Sequence, residues 1–108
     1  MKNFLAVYNM SRPTGFTPEV PTIAEFMQND NFVTVGYFPA KDVNDAFRIL
    51  NTDHPLEVLM EVEKCVNKFD YVHSSMSVGD VLIETSVTGW VHYMCMPIGW
   101  VVLKNEVA

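Results

Sequence analysis

The serine, aspartate and histidine side chains in the second half of the chain are the residues best suited to chemistry. Ser75, Ser77 and Asp80 lie in one short run, Ser-Met-Ser-Val-Gly-Asp-Val. Nucleophilic catalysis uses a serine with a histidine and an acid, but these partners meet only in the fold. The sequence has no G-x-S-x-G elbow, HExxH, P-loop or G-x-G-x-x-G pattern. An enzyme with a Ser/Asp/His pocket is therefore the third interpretation, and it needs a deep pocket joining these residues to a histidine.

The same run also has a structural interpretation, as a turn that begins a strand. Gly79 can adopt a positive φ without steric cost, and the Asp80 side chain can accept hydrogen bonds from nearby backbone amides. We expect this turn to be the main role of the motif formed by Ser75, Ser77, Gly79 and Asp80. A small polar pocket that holds a ligand is the alternative.

Histidine and cysteine spacing does not favour a metal site. His92 and Cys95 are three residues apart on a predicted strand, so their side chains are expected on opposite faces. Cys65 and Cys95 lie far apart and form no CxxC pair, and we expect both to be reduced and buried. The sequence predicts no metal and no cofactor.

Composition and charge limit the kinds of partner. The chain has 108 residues, 49% of them hydrophobic, a size and composition typical of a single domain spanning 1–108. The net charge of -6 argues against a general binder of phosphate backbones but leaves a basic partner open. No apolar run is long enough to span a bilayer, and the early residues do not resemble a secretion signal. We expect a cytoplasmic protein that is not bound to a membrane.

Hydrophobic periodicity predicts an α+β fold. A mixed or antiparallel sheet of about five strands is expected, with two or three helices on one face and a C-terminal three-strand meander. Thr22 to Glu25 has the form of a capping box, and Phe47 lies at the centre of the best amphipathic stripe, where it should be almost fully buried. The predicted strands are 3–8, 32–38 (ended by Pro39), 81–84, 90–96 and 100–103; the predicted helices begin near 22, 43 and 53.

Aromatic and methionine residues in the last strands suggest an interface. Trp90, Met94 and Met96 alternate onto one side of a predicted strand, and Trp100 follows on the next. If helices cover only one side of the sheet, this face is too apolar to remain in water. We therefore expect these four residues to form a partner interface, either with another protein or in a homodimer.

Several of these segments together resemble a known family. Val35-Gly36 precedes an amphipathic helix with Ala46-Phe47; the Ser75–Val81 run and the Gly99-Trp100 pair follow. This order is similar to that of the YodL-like small domains of bacteria, phages and mobile elements. The resemblance implies a phage or mobile-element accessory protein that acts in the host cytoplasm, and it implies no catalytic residues.

The function that the sequence favours is a small non-enzymatic interaction module, which binds a host protein or itself. The alternative is a nucleic-acid-binding small β-rich module, because a strand opened by a Val-Gly-Asp turn also occurs in RNA-binding folds. Clustering of basic side chains on one surface would favour that alternative. The residues concerned are Arg12, Lys41, Arg48 and Lys104.

Overall fold

The computed structural model describes residues 2–10, 19–51 and 76–105, which form a five-stranded antiparallel sheet with two short helices. The predicted helix that begins near residue 53 lies outside the described residues, as does most of the proline-rich segment 10–21. The elements are β1 Lys2–Asn9, α1 Ile23–Gln28, β2 Phe32–Ala40, α2 Val43–Ile49, β3 Val81–Ser86, β4 Gly89–Cys95 and β5 Trp100–Val102.

The strand order is β2-β1-β3-β4-β5, and every neighbouring pair is antiparallel. β1 lies between β2 and β3, with Phe4 opposite Phe38 on one side and Glu84 on the other. The continuous apolar run from Phe4 to Val7 suits this inner position, because both faces of the strand are covered. β3, β4 and β5 follow one another as hairpins, so the predicted C-terminal meander is also present.

The two described helices pack on opposite faces of the sheet, so the expectation that the helices share one face is wrong for this pair. Successive residues of β1 alternate between two hydrophobic clusters, as a pleated strand requires. The α2 cluster contains Phe4 and Tyr8 together with Leu50. The α1 cluster contains Val7, Phe26 and Met94. The sheet is therefore the middle layer of the described structure.

α1 begins at a complete capping box, as the sequence predicts. The Glu25 backbone N–H donates to Thr22 Oγ1 at 3.1 Å, and the Thr22 N–H donates to Glu25 Oε1 at 2.9 Å. The helix has only six residues and its C-cap is Asn29. Helices this short are not stable alone in water. α1 is instead held on the sheet by Phe26, whose ring lies 4.8 Å from that of Phe32.

α2 begins at Asp42, whose side chain accepts from the Asp45 N–H at 2.8 Å. Ala46 and Leu50 are completely buried against the sheet, whereas Phe47 is only half-buried, so the expectation for Phe47 is wrong. The reason is geometric: Ala46 and Leu50 are one turn apart and point at the sheet, and Phe47 lies to the side of them. Asn51 helps to end the helix, because its side-chain amide donates to the Phe47 carbonyl.

Pro39 lies inside β2 and does not end it, contrary to the prediction from sequence. β2 is the last strand of the sheet on its side, and only β1 pairs with it among the described residues. A proline has no N–H to donate, and an edge strand tolerates this loss on its unpaired side. The strand therefore continues to Ala40, where α2 follows.

Candidate functional site

The Ser77–Asp80 segment is a tight turn that leads into β3. The Asp80 N–H donates to the Ser77 carbonyl at 3.0 Å, and Gly79 has φ 92°. A positive φ at the third residue is what a type II turn requires. The turn is fixed to the neighbouring strand by a 2.8 Å hydrogen bond from the Gly79 N–H to the Cys95 carbonyl. The expected conformation of Gly79 is confirmed.

The Asp80 carboxylate is fully buried and binds backbone amides from two parts of the chain. Oδ1 accepts from the Asn9 N–H at 2.8 Å, and Oδ2 accepts from the Ser77 N–H at 2.9 Å. Asn9 is the last residue of β1, so this side chain joins the end of β1 to the turn before β3. These bonds support the turn interpretation of the motif. Ser75 lies outside the described residues.

Replacing Gly79 by alanine is expected to lower the free energy of unfolding by about 1 kcal/mol or more. The reason is the positive φ, which a residue with a Cβ adopts only with strain. Urea denaturation measures the change from the transition midpoint and slope. An unchanged midpoint with an unchanged slope would show that the turn does not depend on glycine.

His92 is buried without a hydrogen-bond partner on one of its ring nitrogens. The residue is 8% exposed, its ring lies edge-on to Phe26 at 5.6 Å, and Nδ1 has no partner. Burial lowers the pKa of this imidazole below its ordinary value. Nothing described links His92 to Asp80, and no three metal-ligating side chains converge within 2–10, 19–51 and 76–105. The enzyme interpretation therefore gains no support here.

The free energy of unfolding is expected to fall as the pH drops below about 6.5. The unfolded chain binds a proton at an ordinary histidine there, while the buried His92 resists protonation, so acid favours the unfolded state. The stability difference between wild type and His92→Gln, from urea denaturation between pH 5.5 and 8, isolates this histidine from the others. A difference that does not vary with pH would contradict the prediction.

The structure separates the four predicted interface residues. Trp90 is 57% exposed, whereas Met94 is 1% exposed and belongs to the cluster under α1. Met96 is half-buried against the same cluster. This sheet face is therefore not left open as expected, because α1 covers the part that contains Met94. Trp90 remains accessible because it lies nearer the β3–β4 turn, beyond the residues that pair with β5.

Trp100 is half-buried and has partners inside the chain. Its indole Nε1–H donates to Asn44 Oδ1 at 3.1 Å, and its ring lies edge-on to Phe47 at 5.8 Å and to Tyr93 at 6.5 Å. Edge-to-face aromatic pairs at such distances are stabilising. Trp100 therefore connects β5 to α2 on the opposite face of the sheet from Trp90.

The sequence does not predict the exposure of Met27 on α1. Met27 is 74% exposed, although its spacing from Ile23 places it on the apolar stripe of the helix. α1 is too short and narrow to bury all of that stripe. Beside it is a hollow of about 200 Å³, here called the α1 groove, lined by Val7, Phe26, Met27, Phe32, Thr34 and Ile83.

Trp90 extends this apolar surface beyond the groove. It pairs with Thr85, and His92 pairs with Ile83, so Trp90 is the diagonal neighbour of Ile83 on the α1 side of the sheet. Diagonal neighbours in an antiparallel pair are within reach of a large aromatic side chain. Met27 and Trp90, both largely in solvent, are therefore each near Ile83, Met27 in the groove lining and Trp90 on the adjacent strand.

A second hollow lies on the other side of α1. This acidic cleft has a volume of about 410 Å³. Its described lining is Asn9, Glu19, Val20, Pro21, Glu25, Asn29, Phe32 and Met94. The Thr22 N–H that binds Glu25 holds the pKa of that carboxyl below its usual value, so Glu25 is ionised at neutral pH. Among the described lining residues, two carry negative charge and none carries positive charge.

The described basic residues occur in two places. Lys2, Lys41 and Arg48 lie near the start of α2 among acidic side chains, where the Lys41 N–H and the Arg48 side chain both bind Asp45, and Lys104 lies elsewhere. Lys2 is bridged to Glu84 at 3.0 Å, and Arg48 to Asp45 at 2.6 Å. The Lys104 carbonyl accepts from the Ile23 N–H, so this residue lies beside α1, apart from the other three. Arg12 lies outside the described residues. Within the part of the chain that can be compared, the arrangement does not favour binding to nucleic acid.

Comparisons of the chain with protein-family models, with curated proteins and with solved structures found no match. The resemblance to the YodL-like domains therefore remains a prediction. Neither α1 nor α2 has the length and apolar character that a helix needs to cross a membrane.

Proposed function

We propose that this chain is a small non-enzymatic interaction module that uses the α1 side of its sheet to bind a protein. One observation supports this most strongly: Met27, which lines the α1 groove, and Trp90, which is diagonal to Ile83 of that lining, are 74% and 57% exposed. Tryptophan and methionine are enriched at the centres of protein interfaces, and tryptophan is often a residue that dominates binding energy.

The shape of the surface supports the same function. The α1 groove is a shallow hollow between a short helix and the sheet, with Phe26 and Ile83 at its base. A hollow with exposed apolar side chains at its rim suits an apolar side chain from a partner. Val87, fully exposed in the β3–β4 turn, adds apolar area near Trp90.

The biological setting in this proposal comes from the resemblance to the YodL-like domains. It is that of an accessory protein of a phage or mobile element, which acts in the cytoplasm of its host. The partner is then a host protein, or a second copy of the chain. The Asp80 carboxylate is fully buried in its turn, and His92 lies beneath the proposed surface, against Phe26 and opposite Ile83. Neither residue has a catalytic role in this proposal.

Replacing Trp90 by alanine is expected to abolish or strongly weaken partner capture while leaving the fold intact. The side chain is mostly in solvent, so its loss removes interface area and little core packing. Pull-downs from host lysate and light scattering on the pure protein measure capture and self-association. Ile98→Ala is the matched control, because Ile98 is 94% exposed in the turn at the other end of β4.

Two results would contradict this function. One is a monomer that captures no protein. The other is a partner that binds wild type and Trp90→Ala equally well while both variants show the same circular dichroism spectrum.

A further inference from the structure

We propose that the α1 groove and the acidic cleft together bind one basic, partly apolar segment of a partner protein. This inference rests on the proposed interaction function and specifies the chemistry of the partner. In it, an apolar side chain occupies the groove beside Met27, and a lysine or arginine enters the cleft beside Glu19 and Glu25.

The two hollows are close enough for one short segment to reach both. Phe32 lines both of them, and each is also lined by residues at α1, Glu25 for the cleft and Met27 for the groove. An α-helix is about 10 Å across with its side chains, and an extended chain advances about 3.3 Å per residue. Side chains four residues apart in an extended segment point to the same side and lie about 13 Å apart, which is enough to span α1.

The lining of the cleft is suited to a long cationic side chain. Lysine and arginine have an apolar stem and a charged end, and they place the stem on apolar surface while the charge meets polar groups. Phe32 and the buried Met94 offer such a surface, and Glu19 and the ionised Glu25 offer the charges. Arginine can also stack on the Phe32 ring.

Charge favours a basic partner over a second copy of the chain. Two chains of net charge -6 repel one another, whereas a basic segment is attracted to the carboxylates of the cleft.

The experiment selects peptides from a random 12-residue display library on the full chain and measures their affinities by fluorescence anisotropy. Selected peptides are expected to contain arginine or lysine near an aromatic or aliphatic residue. Replacing that arginine by citrulline keeps the size, and replacing the lysine by norleucine keeps the apolar stem. Both replacements remove the charge. The affinity is expected to fall roughly threefold to tenfold, and more at low salt than at high salt.

Four variants of the protein locate the binding site. Glu19→Gln should lower the affinity for the charged peptide by a similar factor and leave the affinity for the uncharged peptide unchanged. Trp90→Ala and Met27→Ala should each lower the affinity for both peptides. Asp42→Asn is the matched control: it removes one negative charge beside α2, on the opposite face of the sheet, and asparagine remains a good N-cap. It should change neither affinity.

The outcomes separate this inference from the proposed function. The basic partner is overturned, and the interaction surface is retained, if Trp90→Ala lowers peptide affinity but the peptides need no cation. The same holds if Glu19→Gln leaves the affinity of a charged peptide unchanged. Peptide affinities that are unchanged by Trp90→Ala and by Met27→Ala overturn both the basic partner and the proposed interaction surface. The surface is assigned to a second copy of the chain if no peptide is selected and light scattering shows a dimer that Trp90→Ala dissociates. That result also overturns the basic partner.

Discussion

Replacing Asp80 by asparagine is expected to lower the free energy of unfolding by about 2–4 kcal/mol. The carboxylate accepts a backbone N–H at each oxygen, from Asn9 at 2.8 Å and from Ser77 at 2.9 Å. Asparagine keeps the shape but has one oxygen and one NH₂ group. One of the two backbone N–H groups then faces another donor in a site without solvent.

Urea denaturation of the pure protein measures this loss from the transition midpoint and slope. A domain of this size has a stability of roughly 5–15 kcal/mol, so the variant should remain folded but unfold much more readily. Asp42→Asn is again the control, since it makes the same chemical change at an exposed helix cap and should alter stability by less than about 0.5 kcal/mol. Equal midpoints for wild type and Asp80→Asn would show that these bonds do not stabilise the fold, and the ligand-pocket interpretation of the motif would then regain support.

Features that depend on a few neighbouring residues were predictable from the sequence. The capping box needs only Thr22 and Glu25 three residues apart, and the turn before β3 needs only Gly79 and Asp80 in order. The three C-terminal strands are likewise separated by local turn residues. In each case the sequence contains the whole physical cause within one short segment.

Features that depend on which elements meet in space were not predictable in the same way. Alternation along β1 shows that both of its faces are apolar, but it does not show which helix covers which face. Phe47 and Leu50 are three residues apart, so both can lie on one apolar stripe of a helix, and only the position of the sheet decides that Leu50 points towards the sheet. Pro39 is tolerated inside a strand because β2 is at the edge, and strand order is a property of the whole fold.

The candidate surface shows the same limit. Trp90 and Met94 have equivalent positions in the alternation of β4, yet one is largely in solvent and the other is covered beneath α1. Met27 has the spacing of a core residue, and its exposure follows from the shortness of α1 on a wider sheet. The sequence therefore indicated an interface on this face but not which residues remain available to form it.

Phe47 in α2 and Leu50 at its C-cap are expected to contribute to stability in the opposite order from the size of their side chains. Leu50→Ala should lower the free energy of unfolding by about 2–5 kcal/mol, because the side chain is fully buried and its removal leaves a cavity. Phe47→Ala should cost less, about 1–3 kcal/mol, because the ring is only half-buried where it packs against the α2 cluster and edge-on to Trp100. Chemical denaturation of both variants under the same conditions gives the comparison.

A third variant tests the reason for that order. Asn44→Ala removes the hydrogen bond to the Trp100 indole, which helps to hold that ring against Phe47. If Phe47 acts mainly through Trp100, the losses from Asn44→Ala and Phe47→Ala should not add in the double variant, whereas Leu50→Ala and Asn44→Ala should be closer to additive. A larger loss for Phe47→Ala than for Leu50→Ala would mean that Phe47, and not Leu50, is the main contact between α2 and the sheet.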